Sequence, residues 1–295
     1  MPITVAVDLG KTRCRVAIMD AGARRAFTGP GAPGLATRGG VDAALAAIEP
    51  LAAQAGRIEV LGVGAAGAWA DPDAAHDLAR CLARSTGVQV AVASDVVTAH
   101  AGALDGGQGT LLIAGTGAAA LGVDDSGTRL IDGWGPDIGD LGGGSWIGRE
   151  GVRAALRSRD RLGEPTVLSN AITAHIAPAP DAVAWLAGDL PVARQLAGIA
   201  PLVLDAAADG DQIAAQIAAE AVRLLTASAV AASDRPGVVV HGGLTEHPWF
   251  RAELERSLTD AGRTPVRARG DALDGAALLA RRADTSHERF VHRVR

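Results

Sequence analysis

Two short segments place glycine and threonine within two positions of each other directly after a largely apolar run. The first is Asp8-Leu9-Gly10-Lys11-Thr12, closing the run ITVAVDLG, and the second is Gly115-Thr116-Gly117, closing TLLIAGTG. Glycine lets the main chain approach an anion closely, and successive amides in such a turn form an anion-binding nest. A plain hairpin turn uses the same residue types, so each loop alone is ambiguous. Two of them at matching places in the chain favour phosphate binding. Asp8 ends an apolar strand just before the first loop, where a carboxylate is rarely left without a purpose. A hard oxygen ligand there suits hydrated Mg²⁺ bridging phosphates, and an acceptor for turn amides is the alternative. Asp95 ends the strand VQVAVASD at the start of a helix. It is placed either as a helix N-cap or as a general base taking the proton of an attacking hydroxyl.

The most distinctive stretch is GWGPDIGDLGGGSWIGRE, from Gly133 to Glu150, with seven glycines in eighteen residues. So many glycines cannot form one regular element, and they suit tight turns and close contact with a ligand. Trp134 and Trp146 are placed to wall a pocket, the alternative being core tryptophans around a glycine-rich turn. Near the end, VVVHGGL sets Gly242-Gly243 between a buried strand and a helix, where a flat base or ribose can lie against the backbone. No histidine spacing suits a zinc site.

Positioning these groups requires an ordered set of elements. ITVAVDLG and CRVAIMD flank a small polar turn and form a hairpin, with a third strand near Arg25–Thr28. A helix from about Val41 follows, then the strand IEVLGVGAAG, a helix around Ala74–Ser85, and VQVAVASD. The order restarts at Gly109 with two strands around Gly115–Gly117 and a third in TRLIDGW. A largely helical stretch covers Gly144 to Ala232, ending in a helix from Asp211 that stops before Pro236. A strand at Val238–His241, a helix near His247–Ala261, a strand at Val266–Arg269 and a helix from Leu273 complete the pattern. The same order used twice implies two α/β lobes related by pseudo-symmetry. The expected division is a first lobe over 1–105, a second over 106–283 with its last helix near the hinge, and a frayed charged tail over 284–295.

Composition bounds the function. The chain has 295 residues, enough for two cores, and a formal charge of −5 that offers no basic patch for nucleic acid. Two cysteines, Cys14 and Cys81, are too few for a disulfide framework and are expected to be buried thiols. The N-terminus runs straight into a strand, and no uninterrupted apolar stretch approaches the ~20 residues that span a bilayer. A cytoplasmic protein without membrane or nucleic-acid partners is expected.

Taken together, these segments resemble the N-acetylglucosamine kinase branch of the BadF/BadG/BcrA/BcrD ATPase family, within the sugar kinase–Hsp70–actin superfamily. DLGKTRCRVAI is similar to the family's first phosphate loop and IAGTGAAALGV to the second. VVVHGGL is similar to its adenosine-binding strand–turn, and GVGAAGA and LDGAALLA to the segments that connect the lobes. GWGPDIGDLGGGSWIGRE is close to the family's GGWG…GDEGSG.WIG signature. The resemblance implies two actin-like (ribonuclease H-like) lobes, each with a mixed sheet, around an inter-lobe cleft. It also implies ATP and Mg²⁺ as cofactors, a small sugar as partner, and a homodimer. By the same resemblance Asp95 is the catalytic carboxylate acting on the sugar 6-hydroxyl, and Asp8 holds magnesium through water. Gly10, Lys11, Thr12, Gly115, Thr116 and Gly117 form the phosphate loops, and Gly242 and Gly243 the adenosine site. Gly133, Gly135 and Asp140 border the sugar.

The chain departs from the pattern at Ala118, where the family commonly has Ser, and at Leu141 and Gly143, where it has Glu and Ser. No asparagine of the kind used to hold N-acetylglucosamine lies in GPGAPGLA. These differences bear on which sugar is bound. The family also contains ATPase activators of dehydratases that hold an iron–sulfur cluster through cysteines in the glycine-rich region, and Gly133–Glu150 has none. A sugar- or nucleotide-sensing protein without catalysis is the remaining alternative.

Overall fold

A computed structural model describes residues 3–20 and 23–295, and the chain divides into two compact units. The first comprises Met1–Gln108, Asp125–Thr128 and Arg267–Arg295, the second Gly109–Asp124 and Arg129–Val266.

The first unit opens with the meander β1 (Thr4–Leu9), β2 (Arg13–Asp20) and β3 (Ala23–Pro30), each strand antiparallel to the next. Then come α1 (Gly40–Ala52), β4 (Val60–Ala65), α2 (Pro72–Thr86), β5 (Gln89–Ser94) and α3 (Asp95–Ala103). β4 lies parallel to β1, and β5 parallel to β4. These three strands are apolar on both faces, as parallel strands covered by helices must be. On one face Val5, Val7, Leu61, Val63, Val90 and Val92 meet Ile48 of α1 and Leu78 and Leu82 of α2. Each fully buried Leu or Ile contributes roughly 1.5–3 kcal/mol. α2 begins where Asp71 accepts from the Ala74 amide at 2.9 Å, with Pro72 in its first turn. Cys14 is buried in β2, where burial pushes its thiol up to about 11; Cys81 on α2 is only half-buried.

The second unit repeats the opening with β6 (Gly109–Ala114), β7 (Ala118–Asp124) and β8 (Gly127–Asp132). Five helices follow: α4 (Gly144–Arg159), α5 (Leu168–Ile176), α6 (Ala182–Leu186), α7 (Val192–Ala208) and α8 (Gln212–Ala232). β9 (Gly237–His241), α9 (Pro248–Asp260) and the two-residue β10 (Thr264–Pro265) close the unit, whose sheet runs β10-β9-β6-β7-β8. Leu112, Ile147, Ile199, Leu225 and Phe250 centre its core. The strand expected at Val266–Arg269 is not formed. Only Thr264 and Pro265 pair with β9, and Val266 adds a single bond to the Val238 carbonyl before two exposed arginines leave the sheet. By length and composition α8, with 21 residues, could cross a bilayer. Its Ala214, Ala218, Ala221 and Leu225 stripe instead packs into this core.

The chain then returns to the first unit through α10 (Ala272–Arg281) and β11 (His292–Val294). α10 was expected with the second lobe. It covers the other face of the first sheet, where small residues admit it: Ala6 and Ala17 pack on Leu273, Ala276 and Ala277. Any side chain at Gly62 of β4 would collide with the Ala276 backbone. The final residues are not a frayed tail either. β11 pairs antiparallel with β5, completing the order β11-β5-β4-β1-β2-β3, because His292 and Val294 find backbone partners on an otherwise open edge.

Candidate active site

In the first unit the β1–β2 hairpin turns at Gly10–Thr12. The Gly10 amide donates to the Arg13 carbonyl at 3.0 Å, which closes the turn. The amides of Lys11 and Thr12 are left without an acceptor among the described residues. Gly31 backs the loop so closely that a Cβ there would run into Gly10, Thr12 and Arg13, so only glycine fits. A depression of about 580 Å³ opens here, lined by Asp8, Gly10, Lys11, Thr12, Arg13, Arg15, Thr28 and Gly29. Three cations and one carboxylate make it electropositive, as a phosphate site requires.

Strand register sets Asp8 opposite Arg15. The Arg15 Nε and one Nη donate to Asp8 Oδ2 at 2.9 and 2.6 Å. Asp8 Oδ1 takes no bond among the described residues, so one oxygen remains for a ligand. No cluster of three or more His, Cys, Asp or Glu occurs among the described residues. One free carboxylate oxygen without a protein cage fits Mg²⁺ that keeps its water shell, and not a dehydrated structural ion.

Asp95 is the first residue of α3, with Ser94 as the N-cap residue, so it does not itself cap the helix. Its Oδ1 accepts from Ser94 Oγ and from the Val96 amide, each at 2.9 Å. The second carboxylate oxygen is free of partners among the described residues. Burial raises the Asp95 pKa above the ordinary carboxylate value, and the nearby Asp8 charge adds to the rise; the two hydrogen bonds oppose it. A half-buried carboxylate with one free oxygen and a raised pKa is suited to receive a proton.

In the second unit the β6–β7 turn is Gly115-Thr116-Gly117. The Gly115 amide donates to Gly117 O at 3.0 Å, leaving the Thr116 and Gly117 amides without acceptors among the described residues. The start of α4 holds this loop: the Gly144 amide donates to Gly115 O and the Ser145 amide to Thr116 O, both at 2.8 Å. Close approach demands the glycines. A Cβ on Gly143 would lie 2.6 Å from the Gly117 carbonyl carbon, and one on Gly117 would lie 2.7 Å from Asp140 Cγ. Gly242, at φ 125°, abuts Ala114 and would place a Cβ 2.9 Å from the Gly115 amide. Gly115–Gly117, Asp140, Gly143 and Gly242 therefore converge. Gly243 begins the short 3₁₀ turn Gly243–Glu246 just beyond.

The glycine-rich segment is organised by Asp132, which the sequence reading missed. It is buried at φ 61°, with Oδ1 accepting from the Gly133 and Asp140 amides at 2.8 Å and Oδ2 from Leu141 at 2.7 Å. Asp140 is itself left-handed at φ 54°. Gly133 and Gly135 carry the exposed end of the segment. Trp146 is no pocket wall: it packs on the core, while Trp134 is 66% exposed.

Two mixed sheets, each opened by a glycine–threonine hairpin, place the protein in the actin-like sugar-kinase fold class. Its sequence matches the family profile over residues 5–280, and the chain belongs to the BadF/BadG/BcrA/BcrD ATPase family. It is 30% identical over 168 residues to an N-acetylmuramic acid/N-acetylglucosamine kinase of Clostridium acetobutylicum, covering 55% of this chain and 54% of that protein. It is 31% identical over 121 residues to an N-acetyl-D-glucosamine kinase of Dictyostelium discoideum, covering 40% and 38%. The matched part thus spans about half or less of these relatives. Among solved structures, one designated an N-acetylglucosamine kinase from Chromobacterium violaceum superposes with TM-score 0.77 at 24% identity, over 95% of this chain and 99% of that one. A ROK family glucokinase from Streptomyces griseus, in complex with glucose and AMPPNP, gives 0.58 at 18% identity, over 95% and 99%. At these identities the likeness concerns the fold.

Proposed function

We propose that the protein is an ATP-dependent kinase that phosphorylates an amino sugar or hexose at its 6-hydroxyl, with N-acetylglucosamine or glucosamine the leading substrate. The observation that carries this reading is Asp95. Its carboxylate has one free oxygen and a raised pKa, and it shares a unit with Asp8 and an electropositive glycine–threonine loop. The names of the aligned relatives point the same way.

In this reading Asp95 takes the proton of the sugar hydroxyl as its oxygen attacks the γ-phosphorus. The bond from that phosphorus to the β,γ-bridging oxygen breaks, and ADP leaves. Such transfers depend on positioning and charge stabilisation more than on covalent help. Within the first unit the free amides of Lys11 and Thr12 and the cations of that loop are suited to phosphate oxygens; within the second, the free amides of Thr116 and Gly117 are suited to the same chemistry, and Gly242 and Gly243 leave room for adenosine. Asp8 would hold magnesium through water, which neutralises charge on the phosphates. Gly133, Gly135 and Asp140 border the sugar.

The test is ADP release with ATP and Mg²⁺ across N-acetylglucosamine, glucosamine, N-acetylmuramic acid and glucose, with the product phosphate located by NMR. Sugar-dependent ADP release and a 6-phosphate are expected. Release indifferent to every sugar would refute the assignment.

A further inference from the structure

The C-terminal segment takes no part in the chemistry proposed above, yet it contacts both β5 and α3, the two elements that meet at Asp95. Asp95 sits where β5 ends and α3 begins. β11 extends the sheet beside β5, with His292 opposite Val92 and Val294 opposite Val90. His287, fully buried, brings its Nε2 within 2.8 Å of Nδ1 of the equally buried His100 on α3. Arg293 reaches the end of α10, one Nη donating to the Leu279 and Arg282 carbonyls at 2.6 and 2.5 Å. Glu288 holds the same guanidinium at 2.5 and 2.7 Å. α10 in turn lies backbone to backbone on α3: side chains at Gly102 or Gly275 would strike the Asp271 and Thr98 carbonyls. Phe290 stacks on Trp69, just beyond β4, with ring centres 4.6 Å apart at 19°.

Covering the open edge of β5 needs only β11. The His287, Arg293 and Phe290 contacts fall on α3, on the helix packed against α3, and on the loop after β4, while Arg289 donates to the Thr128 carbonyl and His292 meets His76 of α2. The histidine contact is also costly as mere filling. Whichever nitrogen carries the proton, His287 Nδ1 stays buried without a partner, where an apolar side chain would carry no such penalty. We propose that Thr285–Val294 is a positioning device for Asp95, fixing the β5–α3 junction from the strand side and the helix side together. The proposal rests on Asp95 being the base. His287, Phe290 and Arg293 act through it and touch no substrate.

The test compares His287→Ala, Phe290→Ala and Arg293→Ala in the full chain. Phe290, only half-buried, provides a variant that folds if the histidine change does not. Three readouts are taken: amide hydrogen exchange across α3, the ¹³C titration of the Asp95 carboxyl, and kcat against KM. Exchange at Val96–His100 is expected to quicken about tenfold while β1 and β4 stay protected. The Asp95 titration midpoint should move, and kcat should fall about 10–100-fold with KM for ATP little changed, since a displacement of about 1 Å costs on that order. His287→Gln, whose amide can still donate to His100, should recover most of the loss. Unchanged α3 exchange and kcat in folded variants would overturn the proposal. So would exchange rising evenly across the first sheet with kcat per folded molecule intact. A wild type that phosphorylates no sugar removes Asp95 as base, whereas the exchange and titration readouts still decide whether the segment fixes α3.

Discussion

Asp95→Asn separates chemistry from structure more cleanly than any other change in this chain. The amide keeps an Oδ1 that can accept from Ser94 Oγ and the Val96 amide, so both bonds that orient the side chain survive. What is lost is the capacity to receive a proton. A positioned base contributes about 10²–10⁴-fold, which at 1.36 kcal/mol per decade is about 3–5 kcal/mol of barrier. Turnover should fall by that factor, with KM for ATP little moved. Stability should move the other way. Burial raises the Asp95 pKa, so the folded state holds this proton more tightly than the unfolded chain, and the contribution to stability is lost as pH rises past the ordinary carboxylate value near 3.9. At pH 7 the ionised side chain burdens the fold, and the neutral amide should melt at a higher temperature. ADP-release kinetics and calorimetry at pH 7 check both. A loss of only a few-fold, or a melting temperature that drops, would refute the reasoning.

Four further outcomes are expected. If Asp8 holds magnesium through water as proposed, Asp8→Asn should raise the Mg²⁺ concentration for half-maximal rate about 10–100-fold in a titration at fixed ATP. Asp132→Ala strands three backbone amides and should cost roughly 3 kcal/mol by urea unfolding; a cost below about 0.5 would deny Asp132 its organising part. Gly143→Ala pushes a methyl at the Gly117 carbonyl and should raise KM for ATP about tenfold, the effect of 1–2 kcal/mol of strain, measured by initial rates. Burial, with the neighbouring His100, lowers the His287 pKa to about 3, against about 6.5 when unfolded. The stability this gives is present above pH 6.5 and is lost as pH falls toward 3, about 2 kcal/mol of it by pH 5. His287→Gln should flatten the melting-temperature slope between pH 7 and 5.

The hairpins, the parallel strands and the helix starts were legible because their signals are local. Glycine and threonine after an apolar strand-like run mark a turn, as at Gly10–Thr12 and Gly115–Gly117. The place of Asp95 at the junction of β5 and α3 was legible for the same reason, although it begins α3 and does not cap it. Asp132 was missed because two of its three partners, Asp140 and Leu141, are eight and nine residues away. The one local hint was the Asp-Gly step into Gly133, a turn signal at the end of a strand. β11 was missed because three residues carry no periodicity, and its partner β5 lies about two hundred positions earlier in the chain. α10 was assigned to the wrong unit because sequence order suggested the neighbour it had just left. The small-residue face of Ala6, Ala17 and Gly62 decides its true place, and that face exists only once the strands pair.

Lys11 lines the first-loop depression and is the only lysine in the chain. Reagents that attack primary amines therefore meet one side chain here, besides the α-amino group, and it lies beside Thr12 and Arg13. Acylating it would remove one of three positive charges that line this depression with Asp8, and a fluorophore attached to it would report on whatever occupies the loop without any substitution. Labelling that slows when nucleotide is added would turn a quirk of composition into a site-specific reporter.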